Sequence, residues 1–316
     1  MTQNEDNRRY RQISDEQVVA QIVRSNLHLL IHDYFSRRSF LLVDPPVLHE
    51  QIKDKKHEIY LPLYSESYSL NSSNALYMAA YASFFKRVYS VSSAFRDEQN
   101  SVNHLVEFKM LEVEMLDMTY EQLPDFIEAF ILFILENLSK VEKIKCYPSL
   151  CRRIKNLQDE FRPSRISYAN FVCEVERTCG YSIAIDTDLS DIDYIVSEYI
   201  NTPIFILEYP KSLATWTSKP LEDHTACALN LLLPGTYGEL CEGCERNNHV
   251  PTLKKKMEQA RIDNLQWYID AVETMHNTTR CGFGIGIDRL VRWIIGAAHI
   301  KDTVLFPRMR AEQRGE

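Results

Sequence analysis

The sequence predicts an α+β fold, an antiparallel sheet flanked by helices. Three observations carry the expectation. Apolar residues recur at helical spacing near both ends of the chain, Val18, Val19, Ile22, Val23, Leu27, Leu30, Ile31 and Phe35 being the clearest run. Two strand-like segments flank a polar loop at residues 96–103, the arrangement of an antiparallel pair. Strands elsewhere follow one another with few βαβ repeats, which argues against a doubly wound sheet.

The elements follow in order. Residues 1–14 are polar and read as a loose arm. Ser14, with Gln17 three residues on, is a capping box that starts a long helix. Phe40-Leu-Leu-Val43 is a short strand stopped by Pro45 and Pro46. Residues 76–85 are helical, 87–92 and 106–118 are strands, and 124–139 is a helix. Residues 140–199 read as an insertion. Strands are expected at 204–207, 226–233 and 237–240, and one long amphipathic helix at 253–275. Gly282-Phe-Gly-Ile-Gly286 is a glycine-rich strand leading into an apolar helix from Arg289 to Ile295.

At 316 residues, 45% apolar and 25% charged, the chain can bury a sizeable core without staples. A net charge of −8 argues against coating nucleic acid or anionic membrane through bulk charge. The most apolar run, 126–138, is too short to span a bilayer and contains Glu128 and Glu136. The N-terminus has no apolar signal-peptide core, so a cytosolic protein is expected. The eight cysteines are scattered. Cys241 and Cys244 form the one Cys-x-x-Cys pair, with only His249 nearby, and read as free thiols rather than a zinc site.

The chain has no Walker-type loop and no Gly-x-Gly-x-x-Gly fingerprint, so a nucleotide would have to be held by side-chain cations. Three ordered segments stand out: Phe95-Arg-Asp-Glu98 through His104-Leu-Val-Glu-Phe108; Gly238-Glu-Leu240 through Gly243 and Arg246; and Gly284-Ile-Gly-Ile-Asp-Arg289. Together with the helix, strand and proline around 40–48, they resemble the catalytic core of class II aminoacyl-tRNA synthetases. Glu112-Val-Glu114, Tyr209-Pro-Lys211 and Phe306-Pro-Arg308 are similar to the asparaginyl/aspartyl branch. The resemblance covers about residues 20–310 and is weakest over 140–200.

The resemblance implies an ATP-dependent ligase that forms an aminoacyl-adenylate. Arg96 and Arg289 would be the catalytic cations, Arg96 at the α-phosphate and Arg289 at the γ-phosphate and adenine. Arginine suits this work because its planar fork pairs with phosphate oxygens. Phe108 would stack on adenine, Glu98 would read its amino group, and His104 would touch the outer phosphates. Mg²⁺ would sit at Glu239; the family's partner aspartate falls where this chain has Asn230, a weaker ligand. Ser72, Asn74, Glu112 and Arg246 would line the amino-acid pocket. Arg246 would read a side-chain oxygen, and Glu112 would accept an amide N–H. With the neutral Tyr77, this leans the pocket to asparagine over aspartate.

Several positions depart from the family pattern. Residues 49–58 replace a small-residue loop, Ser72-Ser-Asn74 stands where Ser-Gly-Gln is usual, and Glu242 replaces a glycine. Residues 15–139 and 200–316 are expected to form the catalytic domain, with no room for an anticodon-binding domain before it. The expected acceptor is therefore something other than tRNA, and extensive tRNA contact is not expected. The alternatives are an ammonia-dependent asparagine synthetase, a minimal tRNA-charging ligase and a non-catalytic regulatory paralogue. The apolar helix and strand at 27–48 suggest a symmetric homodimer.

Overall fold

Ser14 starts the fold as its spacing predicts. Its hydroxyl accepts the Gln17 N–H at 3.2 Å, and its own N–H donates to the Gln17 side chain at 3.1 Å. The reciprocal pair satisfies two of the amides that a helix start leaves unbonded.

The structure, a computed structural model, describes residues 13–50, 57–63, 66–180, 187, 197–198, 200–259, 262 and 264–310. The order opens with α1 (Asp15–Ser36), β1 (Leu41–Leu42), β2 (Leu48–Glu50), β3 (Tyr60–Leu63), β4 (Glu66–Leu70) and α2 (Ala75–Phe85). It continues with β5 (Arg87–Phe95), β6 (Glu107–Leu116), α3 (Leu123–Leu138), α4 (Glu142–Lys145), α5 (Pro148–Glu160), β7 (Ser164–Ser167) and α6 (Tyr168–Cys179). The last part comprises β8 (Ile204–Leu207), β9 (Ala228–Leu233), β10 (Gly238–Glu245), α7 (Val250–Gln259), α8 (Gln266–Glu273), β11 (Arg280–Gly286) and α9 (Ile287–Ile295).

Eight strands form one sheet in the order β1-β5-β6-β11-β10-β9-β8-β7, and β2-β4-β3 form a second, small sheet. The interior of the large sheet is antiparallel; among the described strands only the edge strands β1 and β7 pair in parallel. Strand side chains alternate between faces. Leu111, Val113 and Met115 of β6 and Cys281, Phe283 and Ile285 of β11 therefore point into the main core. There they meet Leu27 and Ile31 of α1, Phe130 and Ile134 of α3, and Leu290 and Ile294 of α9. The intervening residues, Glu112 and Glu114 on β6 and Arg280, Gly282, Gly284 and Gly286 on β11, lie on the opposite face. That face carries the candidate site residues.

The structure differs from the sequence expectations in two places. Strand β10 runs five residues past Leu240, because Cys241 and Cys244 are buried like small apolar residues. A Cβ at Gly243, between them, would lie 3.0 Å from Cβ of Phe283 and 3.2 Å from Leu123 Cδ2, so a side chain there would press on the neighbouring strand and helix. The single helix expected over 253–275 is two, α7 and α8. The first ends at Gln259 and the second starts at Gln266; Asn264, between them, is of a residue type that favours turns over helix interiors. Within the segment read as an insertion, Ile144, Leu150, Ile154 and Phe161 lie in the main core, and β7 extends the large sheet.

His28, on α1, has a buried Nε2 with no hydrogen-bond partner among the described residues. Burial, with Arg24, His32 and Lys109 nearby, holds its pKa below the usual 6.5, against the opposing pull of Asp288. The unfolded chain therefore takes up this proton first as pH falls, so stability drops on acidification from about pH 6.5 downward. The melting temperature is expected to fall between pH 7.5 and 5.5, and His28→Gln to flatten that fall when both proteins are melted in parallel.

Candidate active site

Four of the expected nucleotide residues form one polar chain. The Arg96 guanidinium lies 3.7 Å from Glu98, Glu98 lies 3.6 Å from His104, and His104 Nε2 lies 3.0 Å from Arg289 Nη2. Arg96 comes from the end of β5 and Arg289 from the first turn of α9, so the antiparallel pairing of β5, β6 and β11 brings them together. The Arg96 guanidinium carbon also sits 5.4 Å from the centroid of Phe108, within cation–π range. Arg96 Nε donates to the carbonyl of Ser72 at 3.2 Å. Ser72 thus meets the site through its backbone.

Arg289 is held from three sides. It donates to the carbonyl of Glu239 at 2.6 Å and to the carbonyl of Asn103 at 3.4 Å, besides its contact with His104. Two buried residues that the sequence reading gave no role fix its surroundings. Asp288, 2% exposed, accepts from Arg24 and from the Lys109 N–H at 2.7 Å, locking the start of α9 to β6. Arg292, 1% exposed, bonds the Asn103 side chain and the carbonyl of Thr236, which anchors the loop carrying His104.

Glu239 lies at a β-bulge, where the β9–β10 register shifts between Glu239 and Cys241. Bulges re-aim side chains beside active sites. One Glu239 oxygen accepts the amide N–H of Asn230, and the other lies 3.9 Å from Arg289. Among the described residues no three His, Cys, Asp or Glu side chains gather as a metal cage. The donor set here is a single carboxylate braced by an amide, which suits a Mg²⁺ whose remaining ligands are phosphate oxygens and water. Cys241 and Cys244 fall in different core clusters, on opposite faces of β10, and cannot chelate one ion. Burial pushes the Cys241 thiol well above its usual pKa.

The expected amino-acid residues lie further along the same face. Glu112 is buried and accepts the Ser73 hydroxyl at 2.7 Å and the Asn74 N–H at 2.8 Å, so it braces the start of α2. The Asn74 amide donates in turn to Ser92 Oγ at 2.8 Å. Tyr77 stacks on Trp267 with ring centroids 4.8 Å apart, and His49 lies 4.7 Å away on the small sheet. These rings, with Ser73 and Asn264, line a narrow pocket. Within the departing segment 49–58, residues 51–56 lie outside the described residues.

Arg246 is set by partners that the sequence reading missed. Its Nε and Nη2 each donate to one oxygen of Glu114, both at 3.2 Å, and its Nη1 reaches Cys244 Sγ at 3.1 Å and Thr217 Oγ1 at 3.4 Å. Arg280 Nη1 takes the other Glu114 oxygen at 2.8 Å. Glu114 is 0% exposed, Arg280 1% and Arg246 11%. Burial alone would favour losing the Arg246 proton; Cys244 and Glu114 outweigh it and raise the pKa, so the cation stays charged. The available signal was register: Glu114 and Arg280 both fall on the polar face of adjoining strands.

The model of the tRNA synthetases class II (D, K and N) matches residues 3–310. The chain belongs to that family. It is therefore built on the catalytic core of a family of ATP-dependent ligases. An asparagine–tRNA ligase of Streptococcus mutans is 27% identical, over 94% of this chain and 69% of its own length. One of Thermus thermophilus is 28% identical, over 92% of this chain and 70% of its own. The asparaginyl-tRNA synthetase of Pyrococcus horikoshii, solved with asparaginyl-adenylate, superposes with a TM-score of 0.84. Its identity is 24%, over 94% of this chain and 70% of that one. That likeness gives the fold. No helix among the described residues is long and apolar enough to cross a membrane.

The Asn230–Glu239 pair generates a prediction. Asn230→Asp replaces a bracing N–H by a second negative charge, which disfavours ionisation of both carboxyls. The variant should melt lower than wild type in EDTA and recover on adding Mg²⁺ without nucleotide. The wild-type melting temperature should not respond to Mg²⁺ alone; differential scanning fluorimetry reads both.

Proposed function

We propose that this chain activates the α-carboxylate of asparagine, with aspartate the lesser substrate, as an aminoacyl-adenylate, and passes it to an acceptor other than tRNA. The observation that carries the reading is the single polar chain from Arg96 through Glu98 and His104 to Arg289, continuous along one sheet face with Arg246 and Glu112. An adenylating site must place a triphosphate beside an amino acid, and this face offers cations for the one and a charge-balanced pocket for the other.

The substrate carboxylate oxygen attacks the α-phosphorus of ATP in line; an O–P bond forms, and the bond to the β-phosphate oxygen breaks, releasing pyrophosphate. Arg96 meets the charge developing at the α-phosphate. Arg289 and His104 hold the outer phosphates, and Arg289 and Phe108 flank the adenine whose amino group Glu98 reads. Mg²⁺, when bound with ATP, would neutralise phosphate charge at Glu239, with Asn230 holding that carboxylate in place. In the pocket, the charges of Arg246 and Arg280 balance those of Glu112 and Glu114, so a neutral amide side chain fits better than a carboxylate. The net charge of −8 supports an acceptor smaller than tRNA.

The same reading includes a symmetric homodimer. Strand β1 is the edge of the large sheet, and Leu29, Leu41, Leu42, Phe84 and Phe85 are exposed apolar residues on it and on the helices around it. Sedimentation should give twice the chain mass of 36.9 kDa, and a concentration-independent single-chain mass would contradict it.

The test of activity is ATP–pyrophosphate exchange screened over all twenty amino acids. Exchange with asparagine, weaker with aspartate, is expected. Arg96→Ala should lower it by about 10²–10³-fold, the cost typical of losing a preorganised donor at a transition state. Arg289→Ala should raise the KM for ATP. No exchange with any amino acid would favour a non-catalytic paralogue.

A further inference from the structure

The Arg246 guanidinium has five N–H donors. Nε–H and one Nη2–H go to a single oxygen of Glu114, and the Nη1 pair faces Cys244 and Thr217. One Nη2–H is left without an acceptor among the described residues. The fork that would pair side by side with a carboxylate is therefore already spent inside the protein. Arg280, behind Glu114, takes its second oxygen and fixes it in place.

Room for this arrangement comes from one glycine. Gly282 stands directly across from Glu114 in the β6–β11 register. A Cβ there would fall 1.9 Å from Glu114 Oε2 and 2.5 Å from Arg246 Nη2. The two other glycines of the same strand face are less tightly confined: their nearest neighbours are Met110 at 3.0 Å for Gly284 and Arg289 at 3.5 Å for Gly286. The glycine run thus has two uses. Its first member makes space for an ion pair at the amino-acid end, and its last lies under Arg289 at the nucleotide end.

We propose that Glu114 is a specificity-setting positioning residue, which occupies the Arg246 fork so that a single N–H faces the substrate, and that Gly282 is the residue that permits it. One donor matches one oxygen, the carbonyl of a side-chain amide. A carboxylate meets no fork and gains no second bond. The inference rests on the adenylation reading above and on Arg246 facing the substrate side chain.

The test uses the full chain and two variants. Glu114→Met with Arg280→Met removes one anion and one cation, so the buried net charge is unchanged, and replacing a buried ion pair by apolar residues of similar size is commonly tolerated. Gly282→Ala perturbs the same contact while keeping both charges. Exchange is measured with asparagine and with aspartate, and KM for ATP is measured separately. The double variant should raise the KM for asparagine by about tenfold or more and move the asparagine-to-aspartate ratio of kcat/KM toward aspartate by about tenfold, the scale of one hydrogen bond in substrate discrimination. KM for ATP should stay within about twofold. Gly282→Ala should move the ratio in the same direction. A purely structural role would lower activity with both amino acids alike and leave the ratio fixed. Wild-type exchange with an unchanged ratio in both variants overturns this inference alone. A wild type inert with every amino acid overturns the functional reading, and this inference with it.

Discussion

A carboxylate with no exposed surface, Glu114, held between two guanidinium groups in the middle of a sheet, is the constraint around which the functional face is arranged. Burying three charges is expensive unless each is paired and oriented. The partners come from separate stretches of chain: Glu114 from β6, Arg280 from the start of β11, and Arg246 from the residue after β10. Their meeting requires β11 to run between the other two strands in one register, and that register sets every other pairing on the face. Gly284 then falls across from Glu112, and Gly286 across from Met110. Arg289 follows within the first turn of α9 and arrives beside His104.

The two faces of the sheet divide the work. One is closed by α1, α3 and α9 over residues such as Leu111, Phe283 and Ile285, and it supplies most of the hydrophobic driving force. The other keeps polar side chains fixed by hydrogen bonds to backbone and to one another, as Ser72 does for Arg96, Asn74 for Glu112, and Asn103 for Arg289 and Arg292. A site built on strands has little freedom to drift, which suits chemistry that depends on position.

Much of this was legible in the sequence. The Ser14 cap, the β5–β6 pair with its polar loop, and the glycine strand leading into α9 are local patterns, and each forms where its residues indicate. Arg96, Glu98, His104 and Arg289 could be grouped because ordered motifs placed them in one site. Less legible were features set by tertiary contact. The continuation of β10 through Glu242 and Gly243 looks like a turn until Cys241 and Cys244 are seen to be buried. The pairing of Arg246 with Glu114 rather than with solvent depends on a strand register that no single segment encodes. Residues 140–160 carry a charged surface and a sparse apolar stripe, so their packing into the main core was hidden by composition.

If the proposed function holds, one sheet face binds ATP and the amino acid together, with Arg96 between them. A crystal structure with a non-hydrolysable asparaginyl-adenylate analogue decides this. The adenine is expected between Phe108 and Arg289, the phosphate-mimicking linkage against Arg96, and the side-chain amide oxygen on the single open N–H of Arg246. An analogue bound elsewhere, or bound here with its side chain away from Arg246, would contradict it.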